Sequence, residues 1–565
     1  MPAQAPRQHD EATGITDGEV SPGGKTHVAA TTRPRRLLNH YDASFFHYRP
    51  SLLSPGEFAE VVLDFTSWQE FAFDTVMWDV DGGMASYPSR VVPHYPGLKK
   101  WLDAGNDFLP HVVAGSRERG LEVFLSFRMN AGQDPNFDQA TDRYGREDWL
   151  IDFNEDPDEP PRRYLERLDG EISMQKWDYS LSEVRARQVS ALVELATYDV
   201  DGIQLDFARG APYLRVGQQW LLRDHLTRFM RDLRAAMTER ARKRGQPVLL
   251  AARVAESIEG CHFDGIDIET WVCEDLVDLL IPGCRSFDVD IQAFARATAG
   301  TPVRVYPCHD NHHSSDGYKC TPLRVLRGIA SNWWNQGADG IAVFNFVCTD
   351  GKAVEEAGLL PKPISPVHRQ DWDGNRTFLS EAGEPERLAG KSKTYAVQRR
   401  GGGAPWEFGY PEDGITVTHA FQNANPMASL PARLGQHGTG ATYLRLEVGE
   451  PEKRLACMKA TMRLLVSDEA GNEDANDRIA SGLIRRNPYV LGDGLWTSPL
   501  RRETAVELEV RINNVRLAFA GVEEGWLTYP VVAAQLATGA NLLTVRLAED
   551  SEISIEKIEL DLDPD

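Results

Sequence analysis

The chain is short of cysteine, of basic charge and of long apolar runs, and each shortage excludes something. Its 565 residues include 7 cysteines, at Cys261, Cys273, Cys284, Cys308, Cys320, Cys348 and Cys457. An odd number with no CxxC pair fits neither a disulfide framework nor a zinc template, so free thiols in a reducing compartment and no bound metal are expected. Lys and Arg total 61 against 84 Asp and Glu, a formal net charge of −23. Such a chain lacks the basic face that a nucleic-acid backbone or an anionic lipid surface needs, so neither is expected as a partner. No run approaches the roughly 20 apolar residues of a membrane span. The first 30 residues carry no apolar leader segment, which predicts a soluble, cytoplasmic protein. No GxGxxG motif follows the first apolar run, so the dinucleotide fold loses its main sign and no cofactor is expected.

What is present is apolar and aromatic: 42% hydrophobic residues, with 13 Trp, 16 Tyr and 22 Phe. From Arg36 to Phe346 one pattern recurs, a short apolar run, a polar loop and a segment of helical periodicity. The runs are RRLLNHYD, DTVMWDVD, LEVFLSFRMN, DVDGIQLDFAR, QPVLLAARV, LVDLLIPG, TPVRVYPCHD and DGIAVFNF. They are rich in β-branched residues and do not alternate polar with apolar, as strands buried on both faces do not. Their count predicts a closed (β/α)8 TIM barrel over residues 36–364. A polar, disordered tail is expected over 1–35 and a Pro-, Gly- and charge-rich linker over 365–414. Beyond it, short alternating runs such as ATYLRLEV, KATMRLLVS and NLLTVRLA predict a β-sandwich accessory domain over 415–565.

Active sites of such barrels gather at the C-terminal ends of the strands. The runs end in Asn39, His40, Tyr41 and Asp42; in Trp78, Asp79 and Asp81; in Arg128 and Asn130; in Asp206 and Arg209; in Arg253 and Glu256; in Tyr306, His309 and Asp310; and in Asn345. A ring of polar residues capping apolar strands predicts a polar pocket. Asp206, at the tip of the fourth run, is the leading catalytic carboxylate, with Arg209 and Arg253 placed to keep it charged. Glu256, at the end of the neighbouring run, is its expected partner. Asp310, Asp79 and Asp81 compete for that second role, while Glu269 falls on the following helix. One charged carboxylate and one protonated partner would suffice to hydrolyse a glycosidic bond. Trp78, Trp177, Trp333 and Trp334 are candidate platforms for stacking a sugar ring, Trp78 foremost.

The segments DGIQLDFAR, GIDIETWVCEDLVDLLIPG and NWWNQGADGIAVFNF resemble the barrel of bacterial family-10-like glycosyl hydrolases. The resemblance covers about Arg36 to Phe346 and implies a (β/α)8 fold and glycosidase activity. Asp206 is also similar in position to the nucleophile of alpha-amylase-type and alpha-galactosidase-type barrels, which implies Glu256 as acid/base. True family-10 xylanases carry a Glu after strand four and another on strand seven. This chain has Asp206 and TPVRVYPCHD there, so the xylanase mechanism is not implied. The expected substrate is a poly- or oligosaccharide. Two other classes stay open: a non-catalytic carbohydrate-binding barrel, and a metal-dependent barrel hydrolase drawing ligands from His40, Asp42, His309, Asp310, His312 and His313.

Overall fold

The computed structural model describes residues 16–42, 52–69, 71–80, 83–130, 146–154, 159–161, 163, 165–166, 172–208, 210–283, 286–310, 321–346, 352–359, 372–398, 428–430, 432–434, 441–468, 508–523, 526–547 and 553–565. The first unit is built on strands β1 (Leu37–Tyr41), β2 (Thr75–Asp79) and β3 (Glu122–Arg128). A small hairpin, β4 (Leu165–Glu166) and β5 (Ile172–Met174), sits apart. The sheet resumes with β6 (Gly202–Asp206), β7 (Leu249–Val254), β8 (Leu279–Pro282), β9 (Arg304–Val305), β10 (Cys308–Asp310) and β11 (Ile341–Phe344). Nine of these strands form one sheet in the order β10-β11-β1-β2-β3-β6-β7-β8-β9.

Every pairing in that sheet is parallel. Its two ends, β9 and β10, are separated in the chain only by Tyr306 and Pro307. Tyr306 N donates to Leu280 O at 2.8 Å, and Ala342 N donates to Pro307 O at 2.9 Å. One stretch of chain therefore touches β8 on one side and β11 on the other, and the sheet closes into an α/β barrel. Pro307, having no N–H, accounts for the break between its two strands.

Side chains alternate across each strand, and this decides which reach the interior. Leu38, Met77, Phe124, Ala251, Ile281, Cys308, Ala342 and Phe344 belong to one interior cluster. Their neighbours Leu37, Val76, Val123, Ile203, Leu250 and Ile341 belong to a larger cluster shared with the surrounding helices.

The N-terminal stretch differs from its expectation. Residues 1–15 lie outside the described residues, but Asp17–Val20 and Lys25–Thr31 are helical. They pack at the N-terminal ends of the strands. His27 Nε2 lies 2.7 Å from Asp278 Oδ1, and Arg35 Nε lies 2.6 Å from Glu122 Oε2, all four side chains being buried. A polar composition concealed this, because much of the docking runs through buried polar pairs, with Val20 and Ala30 adding apolar contact to the barrel clusters.

The expected linker also carries structure. Trp372–Ala382 and Pro385–Leu388 are helices, with Phe378, Leu379 and Leu388 in the first unit's apolar cluster. Lys393–Ala396 is a strand, β12, whose Tyr395 belongs to a second apolar cluster.

Beyond it follow β13 (Ala432–Leu434), β14 (Ala441–Val448), β15 (Met458–Asp468), β16 (Leu508–Ile512), β17 (Val515–Arg516), β18 (Gly521–Glu523), β19 (Trp526–Val531), β20 (Gly539–Leu547) and β21 (Ile553–Pro564). Strand β21 carries β12, β13 and β15 in one antiparallel sheet, and β14, β20, β16 and β17 form another. The two sheets share the second cluster, to which Leu446, Val510 and Val545 contribute from one side and Met462, Leu464 and Leu560 from the other. The β16–β17 hairpin turns on Asn513 and Asn514, both at positive φ (48° and 67°), the geometry Asn tolerates best after glycine. Residues 415–421, within the expected β-sandwich, lie outside the described residues.

The helix Leu323–Asn335 joins the units. Arg324 grips Asp563 through both terminal nitrogens, at 2.7 and 3.0 Å. Gly328 on the same helix approaches β12 so closely that a Cβ would collide with the Thr394 carbonyl oxygen.

Candidate active site

The alternation that buries Leu38, Met77 and Phe124 in the barrel also turns the next inward residues of each strand toward its axis at the C-terminal end. These are His40 on β1, Asp79 on β2, Arg128 on β3, Asp206 on β6, Arg253 on β7 and Asp310 on β10. Register sets Arg128, Asp206 and Arg253 at one level and places Phe344 beside both Asp310 and His40, while Asp79 pairs one inward step lower, with Ser126. Asp79, Asp206, Arg253 and Asp310 have no exposed surface.

The level is electrostatically organised. Arg253 Nη1 donates to Asp206 Oδ2 at 2.9 Å, and its guanidinium carbon lies 4.1 Å from the centroid of the Phe344 ring. Asp206 Oδ1 meets no donor. Arg128 Nε lies 2.8 Å from Asp79 Oδ2, and Arg128 Nη2 donates to Asp42 just above. Asn345 Nδ2 donates to Asp310 Oδ1 at 3.2 Å. Asn345 itself sits at φ 69°, a left-handed conformation just beyond β11.

His40 stands edge-on to Phe344, ring centroids 4.4 Å apart, with Nε2 3.9 Å from Asp79 Oδ2. Burial, then the Arg253 charge, pushes its pKa down to about 3, so the ring is neutral at physiological pH. Buried ion pairs are a poor source of stability, because desolvation offsets their attraction. An interior holding two of them beside a neutral imidazole is a candidate functional site.

Glu256 follows β7 and is 2% exposed, its backbone oxygen accepting from Asp290 N at 3.0 Å. It precedes the helix Ile258–Phe263, which is capped by Ser257. Its place is therefore the strand-end loop, not the helix's first turn. Glu269 lies on the helix Ile268–Cys273 and meets His262 at 3.0 Å, away from the ring of strand ends.

Other expected site residues stand elsewhere. Trp78 points outward between barrel and helices, its Nε1 donating to Ser116 Oγ at 3.1 Å. It alternates with Asp79, so the two cannot both face the axis. Trp177 and Trp333 are also buried in the apolar cluster. The amide of Asn130 is engaged by backbone: Nδ2 donates to Trp177 O and Pro212 O, and Oδ1 accepts from Trp177 N. Tyr306 faces inward but at the opposite end, beside Arg35. His309 faces outward, near Trp333 and Phe346. Asp81 and Arg209 lie outside the described residues, and Arg253 supplies the cationic partner expected of both arginines.

Three residues escaped the sequence reading. Ser126 and Gln204 occupy the inward positions one step below Arg128 and Asp206, a place that the two-residue strand period would have found. Trp220, 41% exposed, lies in the turn before the helix Asp224–Arg244, with His262 and Arg223 against its ring. Among the described residues no group of three or more His, Cys, Asp or Glu is arranged to hold a metal ion, and no helix is long and apolar enough to cross a membrane.

No family model matches the chain, and no curated protein does. Among solved structures it is similar to alpha-L-fucosidase isoenzyme 2 from Paenibacillus thiaminolyticus, at 14% identity and TM-score 0.39, covering 62% of this chain and 49% of that one. It is similar to an alpha-amylase from Geobacillus thermoleovorans at 10% identity and TM-score 0.36, covering 91% and 99%. An alpha-galactosidase from Thermus thermophilus gives 15% identity and TM-score 0.31, covering 63% and 65%. The chain thus spans about half the length of the fucosidase it matches.

Proposed function

We propose that the chain is a glycoside hydrolase, with Asp206 as the carboxylate that attacks or stabilises the anomeric centre and Glu256 as its acid/base partner. The observation that carries this reading is the state of Asp206. It is wholly buried at the inner end of β6, one oxygen is fixed by Arg253, and the other points at no donor. A carboxylate with a fixed cationic partner and one bare oxygen inside the barrel suits a developing oxocarbenium charge. Asp79 suits the acid role less than Glu256 does, because Arg128 already pairs with it. Glu256 stands in the loop after the adjacent strand.

In this reading β9 and β10 count as one strand of an eight-fold (β/α)8 barrel, and the two antiparallel sheets form a β-sandwich accessory domain. The division falls near residues 389–392, between the helix Pro385–Leu388 and β12. The substrate is a poly- or oligosaccharide, and the neighbouring residues Asp79, Arg128, Arg253, Asp310 and Asn345 shape its pocket.

The test is a screen of aryl glycosides with the parent protein, Asp206→Asn and Glu256→Gln, below the melting temperature of each. Asp206→Asn should keep its circular dichroism spectrum and lose turnover by about a thousandfold or more, as nucleophile and charge-stabilising groups do. Glu256→Gln should lose less on substrates with good leaving groups, which need little acid assistance. Normal turnover by Asp206→Asn removes Asp206 from catalysis.

A further inference from the structure

Beneath the charged level lies a second polar level that the proposed mechanism does not use. Ser126 on β3 and Gln204 on β6 are register partners, one inward step below Arg128 and Asp206. Both are fully buried. Ser126 Oγ, both amide atoms of Gln204 and both ring nitrogens of His40 have no hydrogen-bond partner, and neither has Asp206 Oδ1 above them. Ala251 on β7, the register partner of Gln204, is small.

Buried polar groups are nearly always satisfied. Several orphans on one inner face of a barrel therefore mark the place of an occupant that completes them. The chemistry of the three side chains narrows that occupant. Each is uncharged and offers both a donor and an acceptor: a hydroxyl, a carboxamide and a neutral imidazole. The matching group is a hydroxyl, which also gives and receives one hydrogen bond at once. An anion would meet four carboxylates, Asp42, Asp79, Asp206 and Asp310, against two arginines, Arg128 and Arg253, that are already engaged with three of them. An ammonium would find no charge among the three neutral groups. From Gln204 to Asp206 the strand rises about 6.6 Å, a depth that one sugar ring can fill.

We propose that Ser126, Gln204 and His40 form a neutral, hydroxyl-reading floor below Asp206 and beside Asp79, and that the substrate ring seated there is an uncharged sugar. This rests on the reading of the mouth as a carbohydrate site and adds which sugars it admits.

The test measures thermal shifts of the full chain with free glucose, galactose, mannose, xylose and fucose, with glucuronic and galacturonic acids, and with glucosamine. Aryl-glycoside turnover is read in parallel. At least one neutral sugar should raise the melting temperature, and the uronic acids and the amino sugar should not. Gln204→Met, nearly isosteric, should raise the melting temperature of the sugar-free protein by removing orphaned polar atoms, and should weaken the responding sugar at least tenfold. Ser126→Ala, a smaller change, serves the same purpose should the methionine variant not fold.

Preferential response to a uronic acid or to glucosamine overturns the proposal. So does no response to any neutral sugar. A Gln204→Met protein that is less stable and binds the sugar as before also overturns it, since water alone would then satisfy these groups. Cleavage of glycosides with KM and kcat unchanged in both variants sinks the floor and spares the hydrolase. Sugar binding that depends on Gln204, without any cleavage, does the reverse.

Discussion

Arg253 and Asp206, neighbours across the β6–β7 pairing, form an ion pair of 2.9 Å in which neither side chain has any exposed surface. The pair is at once the best candidate for chemistry and a structural commitment. Removing one partner of a buried pair leaves an uncompensated charge, at a cost of about 3–5 kcal/mol, whereas replacing both by apolar groups is often neutral. Arg253→Met should therefore lower the unfolding free energy by about that amount, read from denaturant midpoints. The double variant Arg253→Met with Asp206→Leu should recover most of the loss. Additive losses would show that the pair is not desolvated. Because Asp206→Asn also leaves Arg253 without its charged partner, that variant is expected to melt lower than the parent, and its turnover has to be compared where both are folded.

Trp78 makes the opposite kind of prediction. Packed against Tyr41, at a ring separation of 4.6 Å, and hydrogen-bonded to Ser116, it holds β2 to its helix layer. Truncation of a buried aromatic costs about 3–5 kcal/mol. Trp78→Ala should lose stability on that scale, while the KM of the folded fraction on a confirmed substrate stays unchanged. A raised KM at unchanged stability would restore the stacking role.

Asn39 lies on the outward face of β1, with Val76 and Val343 as its register neighbours. It is fully buried, and neither amide atom has a hydrogen-bond partner. An unsatisfied buried polar group costs about 1–3 kcal/mol, and an apolar residue of the same shape removes the cost. Asn39→Leu should raise the melting temperature without touching activity. A fall in melting temperature would show that the amide is satisfied in solution.

Most of the architecture was legible because it follows from patterning. The eight apolar runs and the long C-terminal strands appear where apolar content and turn residues put them. Direction within a strand was harder to read. Trp78 and Asp79 both read as mouth residues in the sequence, and so do His309 and Asp310, yet adjacent positions face opposite ways. Depth was harder still: Tyr306 faces the axis, but at the end where Arg35 stands. The period of two, carried through each run from a known inward residue, would have removed Trp78 and His309 and added Ser126 and Gln204. The N-terminal helices were illegible for another reason. They dock through His27–Asp278 and Arg35–Glu122, pairs whose partners are far away in the chain and leave no periodic trace.

His40 supplies a pH signature that separates the charged level from the rest of the molecule. The groups facing it are Arg253 and Arg128, which disfavour its protonation, Asp206 and Asp42, which favour it, and Asp79, whose Oδ2 lies 3.9 Å from its Nε2; burial is the largest single influence. Its pKa lies at about 3 in the folded chain, against an ordinary value of 6.5. Between those values the unfolded chain binds a proton at this residue and the folded chain does not. Stability from this source is therefore complete above about pH 6.5 and falls as the pH drops toward 3, by at most about 1.4 kcal/mol per pH unit. Carboxylates elsewhere titrate in part of the same range, so the informative quantity is a difference. Urea midpoints at pH 7, 6, 5 and 4 should fall more steeply for the parent than for His40→Gln, which cannot titrate. The gap between the two slopes should be nearly as large from pH 6 to pH 5 as from pH 5 to pH 4, and it is read most cleanly in the first of these intervals, where few other side chains change charge. Parallel slopes would mean that His40 takes up its proton as readily in the folded protein as in the unfolded one, and that the imidazole is open to water rather than enclosed among the strand ends.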